Sequence, residues 1–396
     1  MRLRPRREQC HGETKDSPPL MATADVIVLG LGAMGSAAAY HLARRGVRVI
    51  GLEQYTPVHD RGSSHGHSRI IREAYFEHPD YVPLLQRAYE QWRALQEECN
   101  ASLLIMTGGL MIGPRDGVLV QGSLASARAH HLPHELISAD EIQHRFPPFR
   151  VSSEMVAVQE PNAGVLHPEA CIRAHLDGAT TAGAMLRFEE PVLQWTAGEH
   201  AVDVMTTKGQ YSGARLVITA GAWAPQVLDA LHLPLQVERN VMYWFAPKAD
   251  ASAFAPSRFP IYICEYRTGA FFYGFPAQSD GTVKVAHHHS GDFCTPATLR
   301  RDVAPAEVAR IRGLLEAHLP AASGELRATA ACMYTNTPDL NFIIDRHPQH
   351  PQVTLACGFS GHGFKFSSVV GEVLADLALD GWTRHPIHLF RLPRFG

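Results

Sequence analysis

Three glycines near the start of the chain have the spacing of a turn that binds phosphate groups. They are Gly30, Gly32 and Gly35, in the pattern Gly-x-Gly-x-x-Gly. In such a turn the first glycine permits a tight bend, the second lets the backbone approach a pyrophosphate, and the third lets a helix pack closely on the preceding strand. The free N–H groups at the start of that helix would then face the phosphates.

The residues around these glycines favour the elements that such a turn requires. Residues 26–29 are apolar and β-branched, as in a buried strand, and residues 37–45 are good helix formers that end at Gly46. Residues 47–52 favour a second strand. That strand ends at Glu53, whose carboxylate can accept hydrogen bonds from ribose hydroxyls and disfavours a 2′-phosphate. The sequence therefore predicts FAD or NAD binding rather than NADP, with an accidental glycine turn as the alternative.

A second polar segment, residues 60–75, combines small residues with basic ones. Ser63 and His65 suit a loop that covers phosphates or a cofactor ring. Arg69 and Arg72 are three residues apart, so on a helical turn they would share a face and could clamp a carboxylate. A solvated basic turn is the alternative for this segment.

A lysine and three adjacent histidines occupy a predicted hairpin at residues 269–292, whose turn lies at residues 279–281. Strand alternation places Lys284, Ala286 and His288 on one face and Val285, His287 and His289 on the other. Because the histidines alternate, they cannot all reach one ion, and no metal site is predicted.

The last part of the chain contains a glycine-rich turn followed by a lysine. Residues 353–357 favour a strand and residues 367–379 favour a helix. Between them, Gly361 and Gly363 lie in a turn whose N–H groups can face a ligand. Lys365 lies near the start of the helix, where a cation is locally unfavourable, which indicates that it binds an anion.

The bulk composition excludes several classes of protein. The chain has 396 residues, of which 45% are hydrophobic and 19% are charged, as in a globular protein of two domains. A formal net charge of −3 provides no basic face for nucleic acid. The seven cysteines are scattered and form no CxxC pair, so neither a disulfide framework nor a zinc site is predicted, and a cytoplasmic location fits best.

Two segments near the N-terminus resemble targeting signals only superficially. Residues 26–43 carry no formal charge and are almost long enough to span a membrane, but their glycines favour a strand, a turn and a helix instead. Residues 1–20 are basic and then rich in proline and serine, without the apolar centre of a secretory signal. We expect a disordered tail there, or an extended start that precedes Met21.

Taken together, these segments resemble the monomeric sarcosine oxidase family, which includes N-methyltryptophan oxidase and pipecolate oxidase. That family belongs to the flavoproteins that are similar to D-amino-acid oxidase. The matching segments are GLGAMG, SHGHSRIIREAY, YVPL, EPNAGVLHPE, TAGAW, YGFP, VKVAHH, ACMYT, FIID and GFSGHGFKFSS. The last of these is highly specific, and the resemblance covers residues 24–395.

The resemblance implies roles for individual residues. Cys332 matches the cysteine that bonds covalently to the 8α carbon of FAD, and Lys284 matches a lysine beside flavin N5 that activates O2. Arg72 and Lys365 match the residues that hold the substrate carboxylate, and Arg69 matches an arginine next to the flavin. A buried structural thiol remains the alternative for the cysteine.

Further residues are implied to line the site. Tyr273, His288 and Tyr334 match the lining of the substrate cavity, with plain core aromatics as the alternative for the tyrosines. His67 and Ser68 replace the more usual aspartate and threonine, which leaves the local charges around the flavin open. The implied cofactor-binding residues are Gly30, Gly32, Gly35, Glu53, Ser63, His65, Arg69, Cys332, Gly361, Gly363 and Lys365.

The resemblance also implies a fold and a domain division. The expected fold is α/β, with a Rossmann-like FAD-binding domain interleaved with a mixed-sheet α+β substrate domain. The FAD-binding domain is expected to comprise residues 21–105, 163–238 and 328–396. The substrate domain is expected to comprise residues 106–162 and 239–327.

The expected activity is oxidation of a secondary (N-methyl) amino acid by O2 in a monomeric protein. The products would be the demethylated amino acid, formaldehyde and hydrogen peroxide. Four alternatives remain open: an oxidase of N-methyltryptophan or pipecolate, a flavin amino-acid dehydrogenase with another electron acceptor, an NAD-dependent dehydrogenase, and a non-catalytic flavin-binding subunit.

Overall fold

The computed structural model describes residues 20–248 and 250–395, so residues 1–19 of the tail predicted at residues 1–20 lie outside it, while Leu20 is already the first residue of a strand. The helices are α1 (Ala33–Arg44), α2 (Val82–Cys99), α3 (Val118–Ala129), α4 (Ala139–Arg145), α5 (Pro168–Thr181), α6 (Ala224–Val227), α7 (Pro305–His318) and α8 (Ser367–Asp380). The strands are β1 (Leu20–Leu29), β2 (Val49–Leu52), β3 (Arg69–Ile71), β4 (Leu104–Met106), β5 (Gly109–Pro114), β6 (Glu135–Ser138), β7 (Met155–Glu160), β8 (Gly164–Leu166), β9 (Met185–Arg187), β10 (Val192–Ala197), β11 (Val202–Thr206), β12 (Gln210–Ile218), β13 (Gln236–Phe245), β14 (Ile261–Arg267), β15 (Ala270–Gly274), β16 (Val283–His288), β17 (Asp292–Cys294), β18 (Leu326–Asn336), β19 (Ile343–Arg346) and β20 (Val353–Cys357).

The first sheet contains the predicted dinucleotide-binding unit. Strands β9, β2, β1, β12 and β20 lie parallel to one another, and the hairpin β10–β11 and strand β19 extend the sheet with antiparallel pairs. Val26 and Val28 of β1 face a core shared with α1, α2, α5 and α8, while Ile27 faces a separate core on the other side. Because both faces of this strand are buried, its sequence is apolar throughout.

The uncharged stretch at residues 26–43 is therefore a strand, a turn and a helix. Helix α1 begins at Ala33, directly after Gly32, so its first N–H groups lie at the glycine turn. Among the described residues, no helix is both long and apolar enough to cross a membrane.

The second sheet is mixed and has nine strands among the described residues. Its order is β17-β13-β16-β15-β14-β5-β7-β6, and β18 pairs with β13 along the length of that strand. One face of the sheet packs against α7 in a core that includes Phe245, Tyr262 and Ile311. The predicted hairpin at residues 269–292 corresponds to β15 and β16, which pair with each other.

A small third sheet corrects one expectation about the arginines. Strand β3 pairs antiparallel with β8, from Arg69 opposite Leu166 to Ile71 opposite Gly164. The helical turn considered for Arg69 and Arg72 therefore does not form, because residues 69–71 are a strand. Pairing with β8 extends the backbone of residues 69–71, and Arg72 follows directly after the end of this strand.

The division into two domains remains a prediction. Its boundary at residue 328 falls inside β18, which pairs with β13 in the second sheet. The predicted strand at residues 353–357 coincides with β20, and the predicted helix at residues 367–379 is α8, which ends one residue later at Asp380. These two elements place the glycine turn at residues 358–366 next to the glycine turn after β1.

Candidate active site

A cleft of about 1180 Å³ lies at the end of the parallel strands and contains the glycine turn. It is lined by the turn after β1, the ends of β2 and β12, the segment around Ser63 and the glycine turn before α8. The predicted cofactor residues that line it are Gly30, Gly32, Glu53, Ser63, Arg69, Gly361 and Gly363. Ligands of doubly wound sheets bind at this edge, outside the carboxyl ends of the strands.

The three glycines of the first turn have different surroundings, as their spacing predicts. A Cβ atom at Gly35 would overlap the carbonyl oxygen of Gly30, so α1 can approach β1 only without a side chain there. A Cβ atom at Gly32 would meet no protein atom within 4 Å, because that position faces the open cleft. The first contact supports the fold, while the second leaves room for a ligand.

Glu53 closes one end of the cleft with a fixed carboxylate. Its Oε2 accepts the N–H of Leu31 at 2.9 Å, and its Oε1 accepts the N–H of Tyr55 at 3.1 Å. His59 Nε2 lies 3.3 Å from the same Oε1 atom. The carboxylate is therefore tied to the glycine turn and presents remaining acceptor capacity at the edge of the cleft.

A second, smaller cavity of about 70 Å³ adjoins the cleft. Four residues line both spaces: Arg69, Tyr334, Gly361 and Phe364. The predicted site residues that line the small cavity are Arg69, Arg72, Tyr273, His288, Cys332, Tyr334, Gly361 and Lys365. Of the predicted residues, Lys284, His65 and Gly35 line neither space.

Arg72 is the most enclosed charge of the small cavity, with 1% of its surface exposed. Its Nη2 donates to both carboxylate oxygens of Glu77, at 2.9 and 2.7 Å, and its Nη1 donates to the carbonyl of Ala74 at 3.0 Å. Burial alone would raise the pKa of Glu77, but Arg72, together with His362 and Lys365, outweighs burial and holds that pKa below its usual value. Arg72 Nε is buried and has no hydrogen-bond partner among the described residues.

Lys365 faces the same cavity from the loop before α8. Its Nζ donates to the carbonyl of His362 at 2.7 Å and lies 5.1 Å from the ring centre of Tyr75. Burial, and next the nearby Arg72 cation, lower the pKa of Lys365 to about 7. Three basic side chains and the single carboxylate of Glu77 line this cavity, so the charge favours an anionic ligand.

Lys284 lies behind the cavity wall and holds the segment around Ser68. Its Nζ donates to the carbonyls of Gly66 and Ser68, both at 2.8 Å, and to Ser68 Oγ at 3.1 Å. The rings of Phe275 and Trp244 lie 4.7 and 5.6 Å from the nitrogen. Burial, and next Arg69, lower the pKa of Lys284 well below its usual value. The three acceptors match the three N–H donors of an ammonium group. They therefore favour the charged form of Lys284 and oppose the lowering of its pKa.

Arg69 is tied to the same segment by its backbone carbonyls. The guanidinium donates to the carbonyls of Ser63, His65 and Ser68 at 2.8, 2.6 and 2.8 Å. Burial lowers the pKa of His65 to about 4, so its buried ring is neutral at pH 7. These contacts give the segment at residues 63–68 a fixed shape between the cleft and the small cavity.

The second sheet brings the remaining predicted residues onto one face. Cys332 lies opposite Asn240 in the β13–β18 pair, Tyr334 lies two residues along the same strand, and Lys284 lies opposite Trp244 in the β13–β16 pair. Residues directly opposite each other in a ladder point to the same side of a sheet. Burial raises the pKa of the Cys332 thiol, whereas Arg69 and Lys284 act in the opposite direction.

The histidine run departs from the predicted alternation. The prediction that His289 faces away from His288 is wrong, because β16 ends at His288 and His289 has a φ of 62°. The His289 ring centre lies 4.3 Å from that of His288 and 5.5 Å from that of Tyr334. His287 does point away, toward Tyr266. Among the described residues, no group of three or more His, Cys, Asp or Glu side chains could hold a metal ion.

Sequence reasoning missed two carboxylates at this site. Glu77 forms the ion pair with Arg72, five residues away. Glu160 accepts the N–H groups of Glu73 and Ala74, the latter at 3.0 Å, and thereby fixes the backbone after Arg72. Burial raises the pKa of Glu160 to about 7. The motif EPNAGVLHPE begins at Glu160, which is the one sequence signal that could have drawn attention to it.

Comparison with known proteins identifies the family. A family model described as FAD dependent oxidoreductase matches residues 25–377. A monomeric sarcosine oxidase of Streptomyces avermitilis is 50% identical over 371 residues, which cover 93% of this chain and 97% of that protein. The chain belongs to the monomeric sarcosine oxidase family of FAD-dependent oxidoreductases. An N-methyl-L-tryptophan oxidase of Yersinia pestis is 35% identical over 373 residues, which cover 94% of this chain and 99% of that protein.

Solved structures support the fold of this family. NikD, an unusual amino acid oxidase, has a TM-score of 0.82 at 24% identity and covers 94% of this chain and 98% of its own. L-Proline dehydrogenase from P. horikoshii has a TM-score of 0.82 at 23% identity and covers 95% of this chain and 98% of its own. The predicted α/β fold with interleaved FAD and mixed-sheet parts is confirmed, as is an FAD-dependent enzyme of this family.

Proposed function

We propose that this protein is an FAD-dependent oxidase of small N-methyl amino acids, with sarcosine as the first substrate to test. It would act on the CH–NH group and release the demethylated amino acid, formaldehyde and hydrogen peroxide. The observation that carries this proposal is the small cavity beside the dinucleotide cleft, with the two buried cations Arg72 and Lys365 in its wall. The sarcosine oxidases among the relatives support the same reaction.

The charges of the small cavity support recognition of a carboxylate. Arg72 has an unpartnered buried Nε, and Lys365 uses only one of its three N–H groups on a protein carbonyl, among the residues described. A buried cation without a partner is energetically costly. A substrate carboxylate could remove that cost by accepting hydrogen bonds from both cations. These two side chains would hold the substrate and orient its nitrogen and adjacent carbon toward the cleft.

The size of the cavity favours a small substrate. It measures about 70 Å³ and is bounded by Met242, Ile263 and Tyr273, so a small substrate side chain fits it better than an indole does. N-Methyltryptophan would require displacement of these walls, and pipecolate would require a smaller change. We therefore place sarcosine before both.

The residues of the cleft fit FAD. Gly32 and the first N–H groups of α1 would hold the pyrophosphate, and Glu53 would bind ribose hydroxyls. When bound, FAD would supply the two-electron oxidation of the carbon next to nitrogen and the return of those electrons to O2. We also propose that Cys332 carries the flavin covalently, since its thiol lines the small cavity on the same sheet face as Lys284.

The remaining side chains would shape the environment of the reacting atoms. Tyr273 and Tyr334 lie with their hydroxyl oxygens 3.5 Å apart and would exclude water from the substrate. Burial lowers the pKa of His288 well below its usual value, so the His288 ring adds no positive charge to the wall at pH 7. Lys284 would hold a proton, and hence a cation, behind the wall, where it can stabilise negative charge that develops on O2.

Two further observations support the proposal that the protein is a monomer and lies in the cytoplasm. Relatives that are named monomeric sarcosine oxidases match nearly the whole chain, which supports a monomer. All six cysteines among the described residues are free, which supports a reducing compartment such as the cytoplasm.

Peroxide release tests the proposed reaction. Purified yellow protein should take up O2 and release peroxide with sarcosine, more slowly with pipecolate, and least with N-methyltryptophan. Anaerobic bleaching by sarcosine without O2 uptake in air would instead identify a dehydrogenase. Failure of every N-methyl amino acid to bleach the protein would favour a non-catalytic flavin-binding subunit and contradict the proposal.

Acid precipitation tests the covalent link. We expect the yellow colour to stay with the precipitated wild-type protein, whereas Cys332→Ser should release free FAD. Cys264→Ser is the matched control, because Cys264 is buried in the same sheet but lies in the core on the far face. Complete release of flavin from the wild-type protein would show that no link exists.

A further inference from the structure

His289 occupies an unusual backbone position directly behind the wall of the small cavity. It follows the last residue of β16 and has a φ of 62°, which is the left-handed region that residues other than glycine seldom adopt. Its side chain lines neither the cleft nor the small cavity. A strained position that persists must be held by surrounding contacts.

The contacts that hold His289 come from Glu238, a carboxylate with 2% of its surface exposed. His289 Nδ1 lies 2.9 Å from Glu238 Oε2, while the N–H of Gly291 and the Nδ2 of Asn336 donate to the same carboxylate at 2.7 and 2.6 Å. The N–H of Ser290 donates to it as well. Burial alone would raise the pKa of Glu238, but His289 and these donors outweigh it and hold that pKa at about 2.

The ring held in this way packs against two residues of the cavity wall. His289 lies 4.3 Å from the His288 ring centre and 5.5 Å from the Tyr334 ring centre. On another side, the Tyr334 ring lies so close to Gly361 that a Cβ atom there would overlap it. The tyrosine ring therefore contacts Gly361 on one side and His289 on another, and it also lines the small cavity and the cleft.

We propose that Glu238 and His289 form a specificity-determining pair that restricts the substrate side chain by holding Tyr334 and His288 against the small cavity. This inference rests on the proposed oxidation of N-methyl amino acids. His289 is a positioning residue in this arrangement, since it acts through Tyr334 and does not line the space that the substrate would fill.

His289→Gly is the most informative variant. Glycine adopts a φ of 62° without strain, so the backbone after β16 can keep its course while the ring is lost. The space behind Tyr334 should let that side chain retreat. We expect kcat/KM for N-methyl-L-leucine relative to sarcosine to rise by about tenfold or more, mainly through a lower KM for the larger substrate.

His289→Asn separates the ring from the hydrogen bond. Asparagine tolerates left-handed backbone and can still donate to Glu238, but it has no ring to press on Tyr334. If the ring sets the size limit, the asparagine variant shifts the ratio in the same direction as glycine. If it retains the wild-type ratio, ring packing is not the cause and the inference fails. If the glycine variant does not fold, kcat/KM for N-methyl-L-leucine relative to sarcosine, measured on His289→Asn, tests the inference by itself.

His287→Ala is the matched control, because His287 is two residues away but points toward Tyr266 on the opposite face. It should leave the substrate ratio within about twofold of wild type, because the change lies on the face of the sheet away from the small cavity. An equal shift in this control would mean that general loosening, not the His289 ring, is responsible.

A binding measurement provides a readout that does not depend on turnover. The thermal stabilisation of the holoenzyme by acetate and by 4-methylvalerate should be compared in wild type and His289→Gly. We expect the larger carboxylate to gain stabilising effect only in the variant, and unchanged shifts would overturn the inference. Wild-type protein that oxidises no N-methyl amino acid would instead refute the proposed function, so the two failures are distinguishable.

Discussion

The dinucleotide cleft and the small cavity share four lining residues, yet they are built from different parts of the chain. The cleft relies on backbone: Gly32 and the start of α1 leave space and N–H groups where a ligand can lie. The small cavity relies on side chains from strands β3, β13, β14, β15, β16 and β18, from the segment after β3 and from the loop before α8. The cleft should therefore be sensitive to any added Cβ atom, whereas the cavity should be sensitive to the loss of single charges and rings.

Gly35→Ala should have the largest effect, and it should act through the packing of the dinucleotide cleft. The new Cβ atom would overlap the Gly30 carbonyl, so α1 must move away from β1. We expect a loss of about 3 kcal/mol or more of unfolding free energy, with little FAD retained. Denaturant unfolding and the ratio of flavin to protein absorbance would measure both.

Two other glycines are controls for that result. Gly32→Ala should fold normally but retain less FAD, because its Cβ atom enters only the open cleft. Gly313→Ala, in α7, meets nothing within 4 Å and should gain up to about 1 kcal/mol of stability. If Gly35→Ala and Gly32→Ala lose the same unfolding free energy and the same amount of FAD, then the proposal that Gly35 serves packing while Gly32 faces the ligand is wrong.

Lys365→Met should affect the small cavity and leave the cleft intact. Loss of one cation from a buried carboxylate site should lower kcat/KM for sarcosine by roughly 30- to 1000-fold, which corresponds to about 2–4 kcal/mol. The flavin content should not change. Normal kcat/KM in this variant would remove Lys365 from substrate binding.

The same lysine predicts a pH dependence for carboxylate binding. Because burial beside Arg72 lowers the pKa of Lys365 to about 7, the free enzyme loses this cation as the pH rises through that value. The carboxylate-bound form keeps the proton, so acetate affinity should fall as the pH rises above about 7, by up to about tenfold per pH unit. Lys365→Met should bind acetate weakly at every pH, without the decrease in affinity above about pH 7. If the variant shows the same decrease as wild type, another group is responsible for it.

Lys284→Met should separate the two half-reactions. Lys284 contacts the segment at residues 66–68 rather than the small cavity, so anaerobic reduction by sarcosine should remain within about tenfold of wild type. Reoxidation by O2 should slow by roughly 100-fold, since a buried cation stabilises developing negative charge. Stopped-flow absorbance measures each half-reaction, with the exposed Lys208→Met as the control. Equal slowing of both halves would place Lys284 in substrate binding.

Glu160→Gln should have the smallest effect. The carboxylate accepts two backbone N–H groups, and a glutamine amide can accept only one of them. We expect a loss of about 1–3 kcal/mol of unfolding free energy and a modest rise in KM for sarcosine, because the backbone after Arg72 is less firmly held. A change in kcat alone would not fit a positioning role.

The sequence predicts the cleft better than the cavity, because the cleft is local. Gly30, Gly32, Gly35 and Glu53 lie within one strand-turn-helix-strand unit, whose physical requirements are known for each position. Periodicity also predicted the hairpin of β15 and β16 and the strand β20. Local pattern did not predict the strand at Arg69, because β8, the strand that pairs with β3, lies far along the chain.

The cavity depends on contacts that no local pattern shows. Lys284 meets Ser68 across 216 residues, and Glu160 meets Glu73 across 87. The resemblance to a known family indicated the lysine but not the glutamate. His289 was assigned to the wrong face because alternation holds only inside a strand, and β16 ends one residue earlier.

A comparison of sarcosine with dimethylamine tests most directly whether the small cavity selects a carboxylate. The two amines share the N-methyl group and the secondary nitrogen, but only sarcosine can pair with Arg72 and Lys365. We predict that wild-type protein oxidises sarcosine with a kcat/KM more than roughly 1000-fold above that for dimethylamine. Similar values for the two amines would show that the cations of the cavity do not bind the substrate.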